Sequence, residues 1–254
     1  MDLYVREAGS RDAPTIVFLH GGPLSSAMWL PQFERLADYH CLAPDLPEQG
    51  KSADIGPFTL EDAARRVAEL IRERVPGRRA HVVGLSAGAA VAVRLLRHAP
   101  EVVDHMLASG APTRISPFLA KLNDLNEPVI RWLGPERLTN LVMQQFHIPQ
   151  EYRALVFEGI SESKPEFIRH YDYELTKIVL PGEALAPLLI TVGQKETFPA
   201  KRAARELCRV IAGAQGRMVP HVGHVWSLEA PDLFAETVRA WITDSPLPSS
   251  LVAL

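Results

Sequence analysis

The stretch Val82-Val83-Gly84-Leu85-Ser86-Ala87-Gly88-Ala89-Ala90 decides how the rest of this chain reads. A short apolar run stops at a Gly-x-Ser-x-Gly pentapeptide, and a small-residue helix pattern begins at once. This is the sequence form of a sharp strand-to-helix turn that lifts a serine hydroxyl out at the end of a sheet. Side chains at Gly84 and Gly88 would hold strand and helix too far apart for so tight a turn. Ala87, Ala89 and Ala90 keep the start of the helix equally slim. The pentapeptide alone is a weak signal. The strand before it and the helix after it are what single out Ser86 as a candidate nucleophile.

Outward from this turn, strand and helix patterns alternate. Residues 3–7 read as a first strand, and 15–19 form a continuous apolar run, as expected of a strand buried on both faces. Helical periodicity covers 26–38, and a strand at 41–43 ends in Pro44-Asp45. Thr59-Leu60-Glu61-Asp62 has the form of a capping box opening a long amphipathic helix to about residue 75. Residues 81–83 are the strand before the turn, 87–97 the helix after it, and 103–108 another strand. Between 112 and 182 the strands disappear. Short helical patterns rich in Leu, Phe and Trp are broken there by Pro117, Pro128, Pro135, Pro149 and Pro165. Alternation resumes with strand 188–192, helix 201–211, strand 217–219 and helix 229–241. Such alternation implies a mostly parallel sheet covered by helices on both faces. The expected organisation is a core of residues 1–111 and 183–245, a helical insertion at 112–182 over one end of the sheet, and a loosely held tail at 246–254.

A length of 254 residues suits one α/β domain with an insertion. The net charge of -3 gives no reason to expect nucleic acid. Arg65, Arg66, Arg72, Arg74, Arg78 and Arg79 alternate with Glu61, Asp62, Glu69 and Glu73, which reads as a solvated helix face. The first residues have neither a basic start nor an apolar core, so no signal peptide is expected. No apolar run approaches the roughly 18 residues needed to span a bilayer. The two cysteines, Cys41 and Cys208, fit buried free thiols, and the cytoplasm is the expected location.

A serine hydroxyl needs a neighbouring base, itself oriented by an acid. In open α/β sheets such groups gather at the carboxyl ends of strands. After strand 188–192 comes Gly193-Gln194-Lys195-Glu196, and after strand 217–219 comes Pro220-His221-Val222-Gly223-His224. Glu196 is the candidate acid and His224 the candidate base, with His221 expected to pack or hydrogen-bond within the loop. The chain order serine, acid, histidine separates this arrangement from the other serine-protease folds. A negative oxygen formed on attack needs donors, each worth ~2.7–4 kcal/mol to the transition state. The backbone N–H of Ala87 is one candidate. Gly22, in His20-Gly21-Gly22-Pro23 after strand 15–19, is the other, because Pro23 has no N–H.

These elements resemble the α/β-hydrolase superfamily over nearly the full chain. The resemblance rests on His20-Gly21-Gly22-Pro23, Pro44-Asp45-Leu46-Pro47 with Gly50-Lys51-Ser52, Gly84-Leu85-Ser86-Ala87-Gly88, Gly193-Gln194-Lys195-Glu196 and Gly223-His224. It implies a three-layer α/β fold with a mostly parallel sheet of about seven strands and a helical cap. Three departures stand out. The family acid is more often Asp than Glu; Glu48-Gln49-Gly50 stands where Gly-His-Gly is usual; and the usual leading hairpin is trimmed to one strand.

Members similar to this chain hydrolyse esters, thioesters, lactones or amides, and some cleave carbon–carbon bonds. Ser86 argues against haloalkane dehalogenases and epoxide hydrolases, which carry Asp at the elbow. His-Gly-Gly-Pro also resembles proline iminopeptidases, whose caps hold a substrate amine with carboxylates. Glu127, Glu136, Glu158 and Glu162 are read instead as solvated helix charges. Phe118, Leu119, Leu122, Leu125, Val129, Ile130, Trp132, Leu133, Leu138, Leu141, Val142, Met143 and Phe146 recur at helical spacing, and most are expected to pack the insertion onto the sheet domain. The expected substrate is a small to medium, largely apolar ester, cleaved through an acyl-enzyme with neither metal nor organic cofactor. Amide or peptide hydrolysis, carbon–carbon hydrolysis and simple small-molecule binding stay open, as does a homodimer. Gly50-Lys51-Ser52 lacks the earlier glycine of a phosphate loop, and His221-x-x-His224 lacks the spacing of a zinc-protease helix.

Overall fold

A computed structural model describes residues 2–125 and 127–254, with Glu127 as backbone only. Its strands are β1 (Val5–Ala8), β2 (Thr15–Leu19), β3 (His40–Pro44), β4 (Ala80–Leu85), β5 (Val103–Ser109), β6 (Glu183–Gly193), β7 (Ala212–Val219) and β8 (Val252–Ala253). They form one sheet in the order β1-β3-β2-β4-β5-β6-β7-β8. The six central strands run parallel, and β1 and β8 pair antiparallel at the two edges. About seven strands were expected; the eighth is β8, where Val252 and Ala253 lie opposite Met218 and Arg217. The tail closes the outer edge of β7, satisfying backbone groups that an open edge leaves unpaired, and Leu251 is buried there.

The first helices in chain order are α1 (Leu30–Arg35), α2 (Leu60–Arg74), α3 (Ala87–His98), α4 (Pro117–Asp124) and α5 (Glu127–Gln145). They are followed by α6 (Arg153–Glu162), α7 (Glu166–Thr176), α8 (Phe198–Val210), α9 (Trp226–Glu229) and α10 (Pro231–Ile242). Thr59 caps α2 by accepting the N–H of Asp62 at 3.0 Å, while the Asp62 carboxylate turns to Arg65 and Arg66. Strand alternation decides which side chains meet which helical layer. Val17 and Leu19 of β2 face the layer containing α2 and α3, whereas Ile16 and Phe18 face the opposite one. On that second face Phe18, Trp29, Phe234 and Trp226 form a chain of rings with centroids 5.1, 5.7 and 4.5 Å apart. Each such contact adds about 0.5–1.5 kcal/mol beyond the area it buries.

The four helices α4–α7 lie between β5 and β6. Gly134, at φ 67, and Pro135 break α5 in the middle. Here one expectation fails. Phe118, Leu119, Leu122, Leu125, Val129, Trp132 and Leu141 are exposed, Phe118 at 79% and Trp132 at 74%, while Val142 and Met143 are buried. Helical spacing puts apolar residues on one face but does not say what covers that face. No helix of the described residues is long and apolar enough to cross a membrane. Cys41 is buried and Cys208 half-buried, both free; burial pushes the Cys41 thiol up to about 12.

Candidate active site

Ser86 joins β4 to α3 with φ 53 and ψ -112, a conformation that costs a non-glycine residue about 1–3 kcal/mol. Its N–H donates to Ser109 O on the neighbouring strand at 2.9 Å. A Cβ on Gly84 would lie 2.6 Å from Gly88 O, and one on Gly88 would lie 2.6 Å from His20 O and closer still to Leu19 O. Both glycines are therefore required by the close approach of β4, α3 and the end of β2.

His224 sits in the loop between β7 and α9, with Nδ1 2.7 Å from Glu196 Oε2. The other carboxylate oxygen accepts the N–H of Gly193 at 3.0 Å. The Glu196 side chain is only 3% exposed. Facing a carboxylate, Nδ1 carries the ring proton and Nε2 keeps a lone pair. The ring lies against Gly110, where a Cβ would come within 2.5 Å of Cε1. Gly110 directly follows Ser109, the residue that anchors Ser86. His224 and Ser86 are thus brought to the same strand end, although no hydrogen bond joins Ser86 Oγ to the ring in this structure. Such bonds often tighten only with substrate bound. His221, at φ 64, is exposed, and its N–H donates to Gln194 Oε1 at 3.0 Å within the loop.

Gly21 runs alongside the elbow: a Cβ on it would sit 3.4 Å from Ser86 Cβ. Fully buried His20 controls this turn. Its Nε2 accepts the N–H of Leu46 at 2.9 Å, so Nδ1 bears the proton and donates to Gly21 O at 3.0 Å. Burial pushes the His20 pKa down, which keeps the ring neutral as this tautomer requires. Leu24 N–H donates to the same carbonyl at 2.9 Å. In a trans peptide the carbonyl and the next N–H point opposite ways. Holding Gly21 O therefore aims Gly22 N–H away from it, toward no acceptor among the described residues. Ala87, the first residue of α3, has one of the N–H groups a helix leaves unpaired at its start.

Several further residues shape the site. Glu229 closes the loop before His224 by accepting Gly223 N–H at 3.0 and 3.1 Å, and burial pushes its carboxyl above the usual range. Trp226 Nε1 donates to Ser109 Oγ at 2.7 Å, and the Phe146 ring lies 5.4 Å from that of His224. Behind Gly22, a Cβ would meet Phe167 Cζ at 2.8 Å and Gln49 Oε1 at 3.2 Å. Gln49 is fully buried with neither side-chain atom hydrogen-bonded. Its neighbour Glu48, at φ 65, binds His170 Nδ1 at 2.8 Å, tying this segment to α7. The Asp45 carboxylate accepts the N–H groups of Ser26 at 2.6 Å and Lys51 at 2.8 Å, so Gly50-Lys51-Ser52 wraps a carboxylate.

Of the four carboxylates named in the insertion, Glu136 pairs with Arg153 and Glu158 with Arg6. Glu162 has one oxygen buried without a partner, and the Glu127 side chain lies outside the described residues. A cavity of about 360 Å³ opens beside Pro23, lined largely by Ile130, Leu138, Ile160, Pro165 and Ile168. Chemically, the ensemble offers a hydroxyl on a strained turn, an imidazole oriented by a buried carboxylate, and two free N–H groups.

Residues 16–237 match the Alpha/beta hydrolase family. The chain is similar to an AB hydrolase superfamily protein of Gibberella zeae, 28% identical over 250 residues that cover 92% of this chain and 82% of that one. It is similar to the carboxylesterase YbfK of Bacillus subtilis, 26% identical over 255 residues covering 94% and 83%. In fold it is similar to the enol-lactonase from Burkholderia xenovorans LB400, with a TM-score of 0.78 at 23% identity over 95% of this chain and 96% of that one. The family match spans β2 through most of α10, the same span that carries the elbow and the strand-end residues, and the chain therefore belongs to the alpha/beta hydrolase family.

Proposed function

We propose that this hydrolase cleaves a carboxylic ester of a small to medium, largely apolar substrate through an acyl-enzyme on Ser86. The observation that carries the reading is the 2.7 Å bond from His224 Nδ1 to buried Glu196, beside a serine held at φ 53. In this mechanism Nε2 of His224 takes the Ser86 proton as Oγ attacks the ester carbonyl. The N–H groups of Gly22 and Ala87 hold the resulting oxyanion. His224 then protonates the departing alcohol, and the carbonyl re-forms on Ser86. Water, deprotonated by the same nitrogen, attacks the acyl-enzyme and releases the acid. Residues 112–182 act as the cap, and the cavity beside Pro23 offers an apolar acyl or alcohol group the side chains of Ile130, Leu138, Ile160 and Ile168, with Arg131 and Lys164 also in its wall and neither Ser86 nor His224 lining it. The similarity to a carboxylesterase over most of both chains supports the ester rather than the amide.

The test pairs a fluorophosphonate probe with turnover of p-nitrophenyl esters. Wild type should react with both and Ser86→Ala with neither. If folded wild type is neither labelled nor active, the serine-hydrolase reading is overturned and small-molecule binding without hydrolysis is what stands. An ester chain-length series run beside prolyl amides then fixes the substrate class.

A further inference from the structure

At the end of the sheet opposite the elbow, two histidines and an aspartate converge. The β4–β5 register pairs Ala80 with Val103 and then Val82 with Met106, so His81 alone faces both Asp104 and His105. This is a β-bulge, which adds a residue to one strand and re-aims its side chains. The core records the change of phase: Val103 and Met106 both face the α2–α3 layer, whereas strict alternation would separate them. Asp104 and His105 consequently emerge on the same face as His81.

Their ligand atoms meet. His105 Nδ1 lies 3.6 Å from Asp104 Oδ1 and His81 Nδ1 lies 3.9 Å from Asp104 Oδ2, and the three ligand atoms all lie within 4.8 Å of one another. Both Nδ1 atoms are shut away from solvent and neither has a hydrogen-bond partner. On the far side of its ring, His105 Nε2 faces Asp244 Oδ1 at 3.3 Å. That carboxylate takes the ring proton on Nε2, leaving a lone pair on Nδ1 that points at a second carboxylate. The two Nδ1 atoms and the Asp104 carboxylate thus converge without a hydrogen bond joining them, an arrangement that a cation among them satisfies. Histidine ligands backed by a carboxylate are the usual surroundings of a bound metal.

We infer that His81 Nδ1, His105 Nδ1 and Asp104 form a binding site for one zinc-like divalent cation, with Asp244 orienting His105. Tetrahedral zinc with bonds near 2.0–2.2 Å sets its ligand atoms about 3.4 Å apart; the 3.6 and 3.9 Å separations run to the two different oxygens of Asp104, and the set with one atom from each residue, all within 4.8 Å, closes onto the ion by side-chain rotation of up to about 1.4 Å. Two nitrogens and one oxygen suit zinc, cobalt or nickel better than magnesium or calcium. A cavity of about 300 Å³ bordered by His81 and Asp104 provides the approach and room for a water as fourth ligand. Arg79 reaches Asp104 Oδ1 at 3.5 Å from an exposed position, and the cation displaces it. Bound there, the metal ties β4 to β5 across the bulge without touching the elbow.

The full-length protein, stripped with a chelator, is titrated with Zn²⁺ against a chromophoric competitor and with Co²⁺ followed by its visible absorption. One equivalent should bind, and Co²⁺ should show the intense bands of a tetrahedral site. His81→Gln and His105→Gln should each weaken binding at least tenfold and Asp244→Asn about tenfold, while ester turnover by metal-free protein stays at the wild-type level. Asp104→Asn, at a half-exposed side chain, supplies the same readout if a histidine variant fails to fold. No bound equivalent, or one bound with unchanged affinity in all the folded variants, overturns the assignment.

Discussion

Replacing Glu196 by glutamine isolates what its carboxylate does for His224. In the native protein both oxygens accept: Oε2 from His224 Nδ1 at 2.7 Å and Oε1 from Gly193 N–H at 3.0 Å. Glutamine has the same shape but only one acceptor oxygen. If that oxygen stays on Gly193, the amide NH₂ faces Nδ1, which must then accept, and the ring proton moves to Nε2. An imidazole protonated at Nε2 cannot take the Ser86 proton. If the oxygen turns to His224, the NH₂ opposes Gly193 N–H in a site where the side chain is 3% exposed. That donor–donor conflict costs about 1–3 kcal/mol, so the first arrangement prevails. A wrong tautomer in an otherwise intact site lowers kcat by about 10⁴, or ~5.4 kcal/mol of barrier. The expected outcome for Glu196→Gln is that loss on a saturating p-nitrophenyl ester, with KM nearly unchanged and urea unfolding shifted by no more than about 3 kcal/mol. A folded variant within tenfold of wild-type kcat would refute the assignment of Glu196 as the orienting acid.

Two further substitutions probe the turn after β2. Gly22→Ala puts a methyl group into the Phe167 ring, which is fixed edge-on to Phe58 at 5.0 Å and stacked on Tyr171 at 5.5 Å. The expected cost is about 1–3 kcal/mol of stability from overpacking, with at least a tenfold fall in kcat/KM as the donor is displaced; wild-type kinetics would show that Gly22 N–H is not the donor. His20 has a folded pKa below its unfolded one because it is buried, so its contribution is complete above the ordinary histidine range and is lost as pH falls through it. Between pH 7.5 and 5.5 this single group removes up to about 1.4 kcal/mol per pH unit below roughly 6.5. His20→Gln, whose amide can serve both Leu46 N–H and Gly21 O, should lose less over the same interval in urea unfolding, and an identical loss would assign the acid sensitivity elsewhere.

The elbow was legible because its requirements are local. Gly84, Ser86 and Gly88 are neighbours in the chain, and the strand and helix beside them follow from periodicities of two and 3.6 residues. The strand ends holding Glu196 and His224 followed from the same reading, since parallel strands present their carboxyl ends on one side. What escaped were contacts that neither spacing nor periodicity announces, most of them between segments far apart in the chain. Glu229 reaching back to Gly223, Gly110 under the His224 ring and Phe167 behind Gly22 bear no mark in their own neighbourhoods. The tail pairing β8 with β7 was likewise invisible, because an edge needs a partner without dictating which residues supply it.

By itself, then, the sequence determined the alternation of strands and helices in the core before the tail, the serine turn and the two side chains beyond later strands, since backbone sterics and apolar spacing act between near neighbours. Only the tertiary structure decided which apolar faces are covered, leaving Phe118 and Trp132 exposed where packing onto the sheet was expected. It also decided the His20 tautomer that aims Gly22, and the bulge that turns His81, Asp104 and His105 onto one face. Those outcomes depend on where separate segments come to lie, and burial, hydrogen-bond direction and side-chain convergence exist only once the sheet has assembled.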